Sequence, residues 1–425
     1  MMELQILVPE IRSAPLEEVV SQFAAPQAPL PPFSDLIVDF CAELSQAIFR
    51  DREASLYAEL ASLAFWMRRA ELARLRTDFG KAARPDIVAM PRGLVFHIPP
   101  GNVDTIFIYS WLLAALTGNR NMIRMSSRRS PQSDILLRLW RDSLSQAAPE
   151  IAQSTVVLSY GHSDEVTRAL SLACDVRVIW GGDHTVTAIR TAPLSPHARE
   201  LTFTDRASLA VIHAGRYSEL DEAGRSKLAD LFFNDAYWFD QMACSSPRLV
   251  VWVGSADTVA QAAAVFWDAL RAWTQMKGFE SPAAVHMRKL VFSCQAIIDL
   301  PVANYRRDPE ATVLQLDALA SQPHEHSGGG LFFTARIDSL KELVPVLRRH
   351  HQTLTHFGFD GPELRDLAAR FGGRAVDRIV PVGQALQFNR FWDGYDLLHE
   401  FCRFTYCESQ TGPLSPSDAA SRVRT

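Results

Sequence analysis

The strongest constraint on the fold is a repeated strand–turn–helix pattern between residues 87 and 190. Apolar runs typical of strands occur at 94–98, 121–125, 155–159 and 176–180, and each is followed by a turn and a helical stretch. Strands that alternate with helices of this length form βαβ units and a parallel sheet. Three strand–turn–helix junctions are then expected at the carboxyl edge of that sheet, where open α/β folds bind ligands.

A second α/β unit is predicted further along the chain. It contains a strand-like run at 208–213, a helix at 219–233 and a strand at 249–253. Because 425 residues exceed one ordinary core, two or three domains are expected. The predicted parts are an irregular N-terminal lead with a proline-rich linker and a helix (1–60), a first, cofactor-binding unit (61–203), a second unit (204–364), and a tail that packs back on the first unit or on a partner subunit (365–425).

Composition excludes several classes of protein. The net charge of −5 argues against a nucleic-acid surface, which needs a basic stripe. The first residues lack the features of a secretory signal, and no run approaches the roughly 18 apolar residues of a membrane span. The six cysteines form no C-x-x-C pair, which predicts neither a disulfide framework nor a zinc knuckle. We therefore expect a cytoplasmic protein with reduced thiols.

Cys244 is the candidate nucleophile. It lies among small residues, in Met-Ala-Cys-Ser-Ser-Pro at 242–247, directly before the β-rich run at 249–253. Small neighbours allow a substrate carbonyl to reach the sulfur, and a loop that enters a buried strand is a common place for a reactive side chain. The alternative is a buried structural thiol, since free cysteine is among the most buried residue types.

Asn102 and the pair Gly181-Gly182 follow two of the predicted strands. The Asn102 amide, in Pro-Pro-Gly-Asn, could donate a hydrogen bond to a developing oxyanion, or could simply cap the following helix. Gly181-Gly182 would let the backbone approach a flat ring or a pyrophosphate, but ordinary turn formation explains the pair equally well. The pair does not form a G-x-G-x-x-G fingerprint.

A third junction carries Arg124, Ser126, Arg128 and Arg129. Hydroxyl and guanidinium groups there could bind a ribose and its 2′-phosphate, and a solvated basic edge is the alternative. We interpret His97 as a hydrogen-bonded core histidine. The sequence His-Glu-His at 324–326 lacks a third ligand at useful spacing, so no metal site is predicted.

Several separate segments, in the same order, carry a family resemblance. They are Pro-Arg-Gly-Leu-Val-Phe-His at 91–97, Pro-Gly-Asn-Val at 100–103, Gly-Asn-Arg-Asn at 118–121, Phe-Asp-Gln-Met-Ala-Cys-Ser-Ser-Pro at 239–247, Arg-Ile-Val-Pro-Val-Gly at 378–383 and Trp-Asp-Gly-Tyr-Asp at 392–396. In them the chain resembles the LuxC-type acyl-CoA reductases (long-chain fatty-acyl reductases), a branch of the aldehyde dehydrogenase superfamily.

The resemblance implies an aldehyde dehydrogenase-like α/β fold, with a Rossmann-like cofactor domain, an α/β catalytic domain and a small oligomerisation element. It also implies NADPH-dependent reduction of a fatty-acyl thioester to an aldehyde by a homo-oligomer. Cys244 would accept the acyl group and Asn102 would hold the oxyanion. Gly181-Gly182 would lie beside the nicotinamide and Arg124 near the ribose. The acyl donor would be coenzyme A, an acyl carrier protein or an acyl-protein synthetase.

The chain departs from the superfamily where hydrolytic members carry a general base in Glu-Leu-Gly-Gly. Glu200-Leu201 resembles the start of that segment, but Thr-Phe-Thr follows it at 202–204. The role of Glu200 therefore stays open, and a reductase needs no attacking water. Because a free thiol titrates near ~8.5, the surroundings of Cys244 would have to favour the thiolate. Two other functions stay open, a coenzyme A-acylating aldehyde dehydrogenase that works oxidatively and a non-reducing acyl-transfer subunit.

Overall fold

The computed structural model describes residues 2–25, 27–101, 103–127, 129–319 and 326–408. The strands are β1 (Glu3–Val8), β2 (Arg12–Pro15), β3 (Ile87–Pro91), β4 (Leu94–Ile98), β5 (Arg120–Met125), β6 (Thr155–Ser159), β7 (Val176–Trp180), β8 (Arg199–Phe203), β9 (Ala207–His213), β10 (Pro247–Val253), β11 (Val302–Arg306), β12 (Thr312–Leu316), β13 (Leu331–Ile337), β14 (His351–Phe357), β15 (Arg378–Pro381), β16 (Phe391–Trp392), β17 (Tyr395–Asp396) and β18 (Cys402–Tyr406).

The helices are α1 (Leu16–Ala24), α2 (Asp35–Arg50), α3 (Ala58–Trp66), α4 (Arg69–Gly80), α5 (Ile106–Leu116), α6 (Pro131–Leu144), α7 (Pro149–Ala152), α8 (Asp164–Ala173), α9 (Asp183–Arg190), α10 (Ala214–Ser218), α11 (Glu222–Tyr237), α12 (Ala256–Met276), α13 (Ala283–Asp299), α14 (Gly361–Phe371) and α15 (Leu397–Glu400). Short 3-10 turns lie at Ala54–Leu56 and Leu340–Leu343. None of these helices combines the length and the apolar character needed to span a bilayer.

The first sheet has the order β2-β1-β6-β5-β4-β7-β8. Strands β4 to β7 pair in parallel, as the strand–turn–helix pattern predicts, and β8 adds a further parallel strand beside β7. Helix α5 covers this sheet and is apolar on all sides, and every one of its residues is buried because α2 packs on its far side.

The prediction of an irregular N-terminal lead is wrong. Strands β1 and β2 form an antiparallel pair, and β1 also pairs antiparallel with β6, so the lead supplies one edge of the first sheet. The short alternation in Glu3–Val8 buries Leu4 and Ile6 against the sheet core. Helices α2 to α4 confirm the amphipathic helices expected between residues 35 and 79.

The second sheet has the order β11-β12-β13-β10-β9-β14-β15, and all its pairs are parallel except β11 with β12. Strand β8, which the sequence analysis did not predict, ends the first sheet at Phe203, and β9 begins the second at Ala207. This change of sheet lies where the two units were predicted to divide. The limits 61–203 and 204–364 remain predictions.

The C-terminal segment is shared between the two sheets. Strand β15 pairs with β14 and helix α14 packs on the second core, so the prediction that all of 365–425 packs back on the first unit or on a partner is wrong for this part. The following part contributes Trp392, Leu397, Leu398 and Phe401 to the first core, and β18 pairs with β3. The chain therefore crosses back to the first sheet after Pro381.

Candidate active site

Cys244 lies on the loop between α11 and β10, as predicted. Asp240 and Gln241 have φ values of 49° and 64°, a left-handed conformation that is costly for residues with a side chain. The buried Gln241 side chain holds this conformation in place. Its Nε2 donates to the Pro247 carbonyl at 3.0 Å and to the Leu331 carbonyl at 2.8 Å, and its Oε1 accepts from the Gly330 and Leu331 N–H groups.

Hydrogen bonds from two strands of the second sheet reach Cys244 itself. The Ser208 hydroxyl donates to the Cys244 carbonyl at 2.6 Å, and Gln352 Nε2 donates to Sγ at 3.5 Å. The same Nε2 donates to Asp393 Oδ1 at 2.7 Å, and Arg206 bridges Asp393 at 3.2 Å and Asp377 at 2.5 Å. A series of polar contacts thus connects Asp377, Arg206, Asp393 and Gln352 to the Cys244 sulfur.

The electrostatic balance at Cys244 favours the protonated thiol. Burial raises the pKa of Cys244, and the nearby Asp393 carboxylate raises it further. The Gln352 hydrogen bond and the charge of Arg248 act in the opposite direction. The requirement that the surroundings of Cys244 favour the thiolate is therefore not met by the overall balance, although Cys244 keeps part of its surface exposed.

One cavity contains Cys244 and extends between the two sheets. The cavity and its open mouth enclose about 1010 Å³. Its walls are formed by the carboxyl end of β7, the loop after β4 and the segments that enter β9 and β10. The apolar residues that line it include Ile106, Trp180, Phe203, Trp238, Phe239, Met242, Leu386, Phe388 and Trp392.

Gly181 and Gly182 line this cavity together with Cys244, although they lie far from the Cys244 loop in the sequence. A Cβ on Gly182 would lie 2.5 Å from Asp205 Oδ2, so the close approach requires glycine. The same Asp205 oxygen accepts a hydrogen bond from the Asp183 N–H at 3.0 Å. Because this carboxylate already satisfies the N-terminus of α9, the turn is better suited to a flat ring than to a pyrophosphate.

The other predicted cofactor residues that the structure describes, Arg124 and Ser126, do not line the main cavity. The Arg124 guanidinium lies over the Tyr160 ring, 4.8 Å from its centroid, and Arg124 does not line the cavity. Ser126 lines a smaller cavity of about 300 Å³. Pro100 and Val103 line both cavities, so the two spaces are adjacent. Arg128 lies outside the described residues, and Arg129 Nε donates to Asp134 at 2.6 Å.

Asn102 also lies outside the described residues. Its position in the chain is informative all the same, since Pro100 and Val103 line the cavity that contains Cys244. The oxyanion role of Asn102 stays a prediction.

Glu200 is held in an ion-pair cluster away from the cavity. Its Oε2 lies 2.5 Å from the buried Arg177, and its Oε1 lies 2.7 Å from Arg190. Glu200 does not line the cavity. Glu200 is thus paired with Arg177, which lies on β7, and with Arg190.

The two histidine interpretations have different outcomes. His97 is fully buried, with Nδ1 2.7 Å from the Ser110 hydroxyl and Nε2 3.0 Å from Asn121 Oδ1, which confirms a core role. Burial lowers the pKa of His97 to about 4. In the 324–326 segment only His326 is described, and it bonds the Leu331 carbonyl and the Gly328 N–H. The described part of the chain contains no group of three or more potential metal ligands.

Sequence reasoning did not assign roles to Arg206, Arg248, Gln352 and Asp393. Arg248 is the second residue of β10, four positions after the predicted nucleophile, and this position could have suggested it. Arg206 directly precedes β9 and has no such signal in the sequence. Gln352 and Asp393 reach Cys244 only because β14 and the β16–β17 turn fold against it, which no local pattern indicates.

Comparison with known proteins gives the context for this site. The family model described as Acyl-CoA reductase (LuxC) matches residues 73–275, slightly under half of the chain and including both Gly181-Gly182 and Cys244. The resemblance to the LuxC family is confirmed. Two relatives, each named long-chain acyl-protein thioester reductase, come from Aliivibrio fischeri and Vibrio harveyi.

The Aliivibrio relative is 26% identical over 310 residues, which cover 70% of this chain and 60% of that protein. The Vibrio relative is 25% identical over 305 residues, which cover 69% of this chain and 59% of that protein. The chain thus matches only about three fifths of the length of these relatives.

Solved structures of similar shape are aldehyde dehydrogenases. A putative aldehyde dehydrogenase from Burkholderia cenocepacia superposes with a TM-score of 0.61 at 16% identity, over 95% of both chains. A lactaldehyde dehydrogenase gives 0.63 at 13% identity, also over 95% of both chains. A 1-pyrroline-5-carboxylate dehydrogenase from Thermus with bound NAD gives 0.62 at 14% identity, over 92% of this chain and 84% of that one. The fold is aldehyde dehydrogenase-like, as predicted.

Proposed function

We propose that this protein reduces a fatty-acyl thioester to the aldehyde, with NADPH as the reductant and an acyl-Cys244 thioester as the intermediate. The observation that carries the proposal is that Cys244 and the Gly181-Gly182 turn line one cavity with largely apolar walls. A nucleophile and a bare backbone turn at the carboxyl edge of a parallel sheet are the two parts that such a reaction needs.

Acyl transfer to Cys244 is the first step. Cys244 loses its proton, and the thiolate attacks the acyl carbon, so that an Sγ–C bond forms and the C–S bond of the donor breaks. The donor sulfur leaves as a thiolate and takes up a proton from solvent. The new thioester has nearly the same energy as the old one, so this step needs no further reactant.

The negative charge on the acyl oxygen needs hydrogen-bond donors during that attack. The Cys244 N–H and the Asn102 amide are the groups we assign to it, and each donor of this type contributes roughly 3 kcal/mol. The placement of Pro100 and Val103 in the cavity wall supports the assignment of Asn102.

The residues of the cavity fit a nicotinamide cofactor. Gly181 and Gly182 offer bare backbone beside the Cys244 cavity, and the adjacent smaller cavity at Ser126 extends the space toward β5. Bound NADPH would supply the hydride that reduces the acyl carbon. We assign Ser126, Arg128 and, less directly because it lies over Tyr160, Arg124 to the ribose side.

The chain also limits access of water to the acyl group. Large apolar side chains surround Cys244, and Glu200, which resembles the start of the hydrolytic base segment, is paired with Arg177 and Arg190 outside the cavity. An acyl-Cys244 thioester would therefore persist long enough to be reduced.

The donor is an acyl thioester of coenzyme A, of an acyl carrier protein or of an acyl-protein synthetase. The names of the relatives, which specify an acyl-protein substrate, favour a protein-bound donor. Trp238 and Met242 keep 36% and 42% of their surface exposed at the cavity lining, which provides an apolar entry for a long acyl chain.

We further propose that the protein is a homo-oligomer that associates through the β3–β18 sheet. This two-stranded sheet exposes Val88, Met90, Phe404 and Tyr406. An isolated pair of strands is at best marginally stable in water, so a second copy that covers these side chains would stabilise it.

The test is NADPH oxidation, followed by absorbance, with acyl-CoAs of graded chain length and the purified full chain. We expect oxidation that requires the acyl donor and disappears in Cys244→Ser. Cys294→Ser, which changes an exposed thiol on α13, is the matched control and should behave as the wild type. Faster turnover of an aldehyde with coenzyme A and NADP⁺ would instead favour the oxidative enzyme.

A further inference from the structure

Two arginines line the cavity that contains Cys244, and they differ in how they are paired. Arg206 bridges Asp377 and Asp393, so its charge is neutralised by carboxylates. Arg248 makes no ion pair or hydrogen bond with any residue in the described ranges, and its buried Nε lacks a partner. Burying an unpaired guanidinium, even in part, costs free energy of folding, so such a residue is expected to have a function.

Arg248 lies near Cys244 in the sequence. It is the second residue of β10, four positions after Cys244 and on the same rigid loop-to-strand connection that Gln241 holds. Its charge favours the ionised form of Cys244, and the charge of Cys244 in turn favours the protonated form of Arg248. Both residues also line the same cavity.

The other charged groups around Cys244 do not take this role. Asp393 opposes ionisation of the thiol, and Arg206 is committed to Asp393. The charge of Cys244 also acts to raise the pKa of Arg378. However, the Arg378 guanidinium donates to three backbone carbonyls, at residues 384, 385 and 387.

Two further groups face Arg248 itself. His326 is neutral, because burial, followed by the charge of Arg248, lowers its pKa to about 3, and its Nδ1 accepts a hydrogen bond from the Gly328 N–H. Asp205 also faces Arg248, but its carboxylate is engaged with the N-terminus of α9. Among the described groups, the ionised form of Cys244 is the anion that most favours the charge of Arg248, ahead of Asp205.

We propose that Arg248 is the counter-charge of the Cys244 thiolate, a positioning residue that stabilises the ionised sulfur against the effects of burial and of Asp393. This inference rests on the proposed function for its purpose, since the thiolate is needed for acyl transfer and is released again with the aldehyde. Burial lowers the pKa of Arg248, but a guanidinium starts above about 12 and stays charged at neutral pH.

The test is the pH dependence of Cys244 alkylation by iodoacetamide in the full chain, read by mass spectrometry of the Cys244 peptide. Because a nearby opposite charge shifts a titration by about one unit or more, Arg248→Gln should move the midpoint upward by about one pH unit. At a fixed pH below the midpoint, alkylation should then be about tenfold slower. Arg248→Lys keeps a cation and should move the midpoint less.

Arg336→Gln is the matched control, since it removes an arginine from β13 whose side chain bonds the Gly254 carbonyl at the opposite end of β10. Its midpoint should equal that of the wild type. Equal midpoints for wild type and Arg248→Gln would overturn the proposal, as would an equal shift in the control.

If thermal unfolding shows that Arg248→Gln does not fold, Asp205→Asn replaces it. That change keeps an oxygen acceptor for the Asp183 N–H but removes the negative charge that faces Arg248, so the midpoint should fall. A midpoint that is unchanged or higher contradicts the proposal. Since alkylation needs no acyl donor, failure of the proposed function would appear separately, as a missing acyl adduct on a thiol that still alkylates normally.

Discussion

On the second-sheet side of the cavity, the Cys244 loop is fixed by a fully bonded Gln241 amide and by hydrogen bonds from Ser208 and Gln352. On the first-sheet side, Gly181 and Gly182 contribute only backbone and open space. Acyl transfer requires the Cys244 sulfur to be held in a fixed position, whereas a flat nicotinamide ring requires open space. Substitutions that disturb the Cys244 loop should therefore abolish the nucleophile. Substitutions at the Gly181-Gly182 turn should weaken cofactor use while leaving acylation intact.

The largest effect is expected from Gln241→Ala. The substitution removes four hydrogen bonds to buried backbone groups and the constraint on the left-handed residues before Cys244. At about 1 kcal/mol each, these bonds predict a loss of about 4 kcal/mol in the free energy of unfolding, together with the loss of Cys244 acylation. Denaturant unfolding and intact-mass measurement with an acyl donor check both. Wild-type stability would contradict the structural role of this amide.

Gly182→Ala should affect cofactor binding at the Gly181-Gly182 turn without preventing chemistry at Cys244. Its Cβ would displace the Asp205 carboxylate from the Asp183 N–H and narrow the cavity beside the turn. We expect NADPH binding to weaken about tenfold, roughly 1.4 kcal/mol, while acylation of Cys244 proceeds at the wild-type rate. Titration of NADPH fluorescence measures the first and mass spectrometry the second.

Gly161→Ala is the control for that experiment, because an added Cβ there meets no atom within 4 Å. The assignment of the turn to the cofactor fails if Gly182→Ala binds NADPH as well as the control does.

A smaller effect is expected from pH and from Gln352→Leu. Since burial and Asp393 raise the pKa of Cys244, the thiolate fraction at neutral pH is small and the acylation rate should rise about tenfold per pH unit until that pKa is reached. Gln352→Leu removes the hydrogen bond to Sγ, so the rate should fall severalfold at pH 7 and approach that of wild type at high pH. A rate that is flat with pH would show that the thiol is already ionised.

The smallest effect on chemistry is expected from Met90→Glu in the β3–β18 sheet. A charge on this exposed strand should dissociate the proposed oligomer, which analytical ultracentrifugation detects as a lower mass. The alkylation of Cys244 should not change, since the loop that holds it is formed within one chain. An unaltered mass would place the contact between copies elsewhere.

Local sequence patterns predict some parts of this structure and miss others. The parallel arrangement of β4 to β7 and the loop position of Cys244 come from local patterns, and both are confirmed. Strand β1 was missed because its six residues carry too weak an alternation.

Contacts between distant parts of the chain were beyond local patterns. Gln352 meets Cys244 across 108 positions, and Asp393 lies 41 positions beyond Gln352, so only the folded sheet brings them together. Arg124 shows the converse, since its residue type suited a ribose while the alternation of its strand turns it toward Tyr160.

The central claim is that Cys244 carries the acyl group, and intact-protein mass spectrometry after incubation with an acyl thioester, without NADPH, tests it most directly. The account predicts one added acyl mass that maps to the Cys244 peptide, is absent in Cys244→Ser and disappears when NADPH is then added. An adduct on another residue, or aldehyde formation by Cys244→Ser, would contradict it.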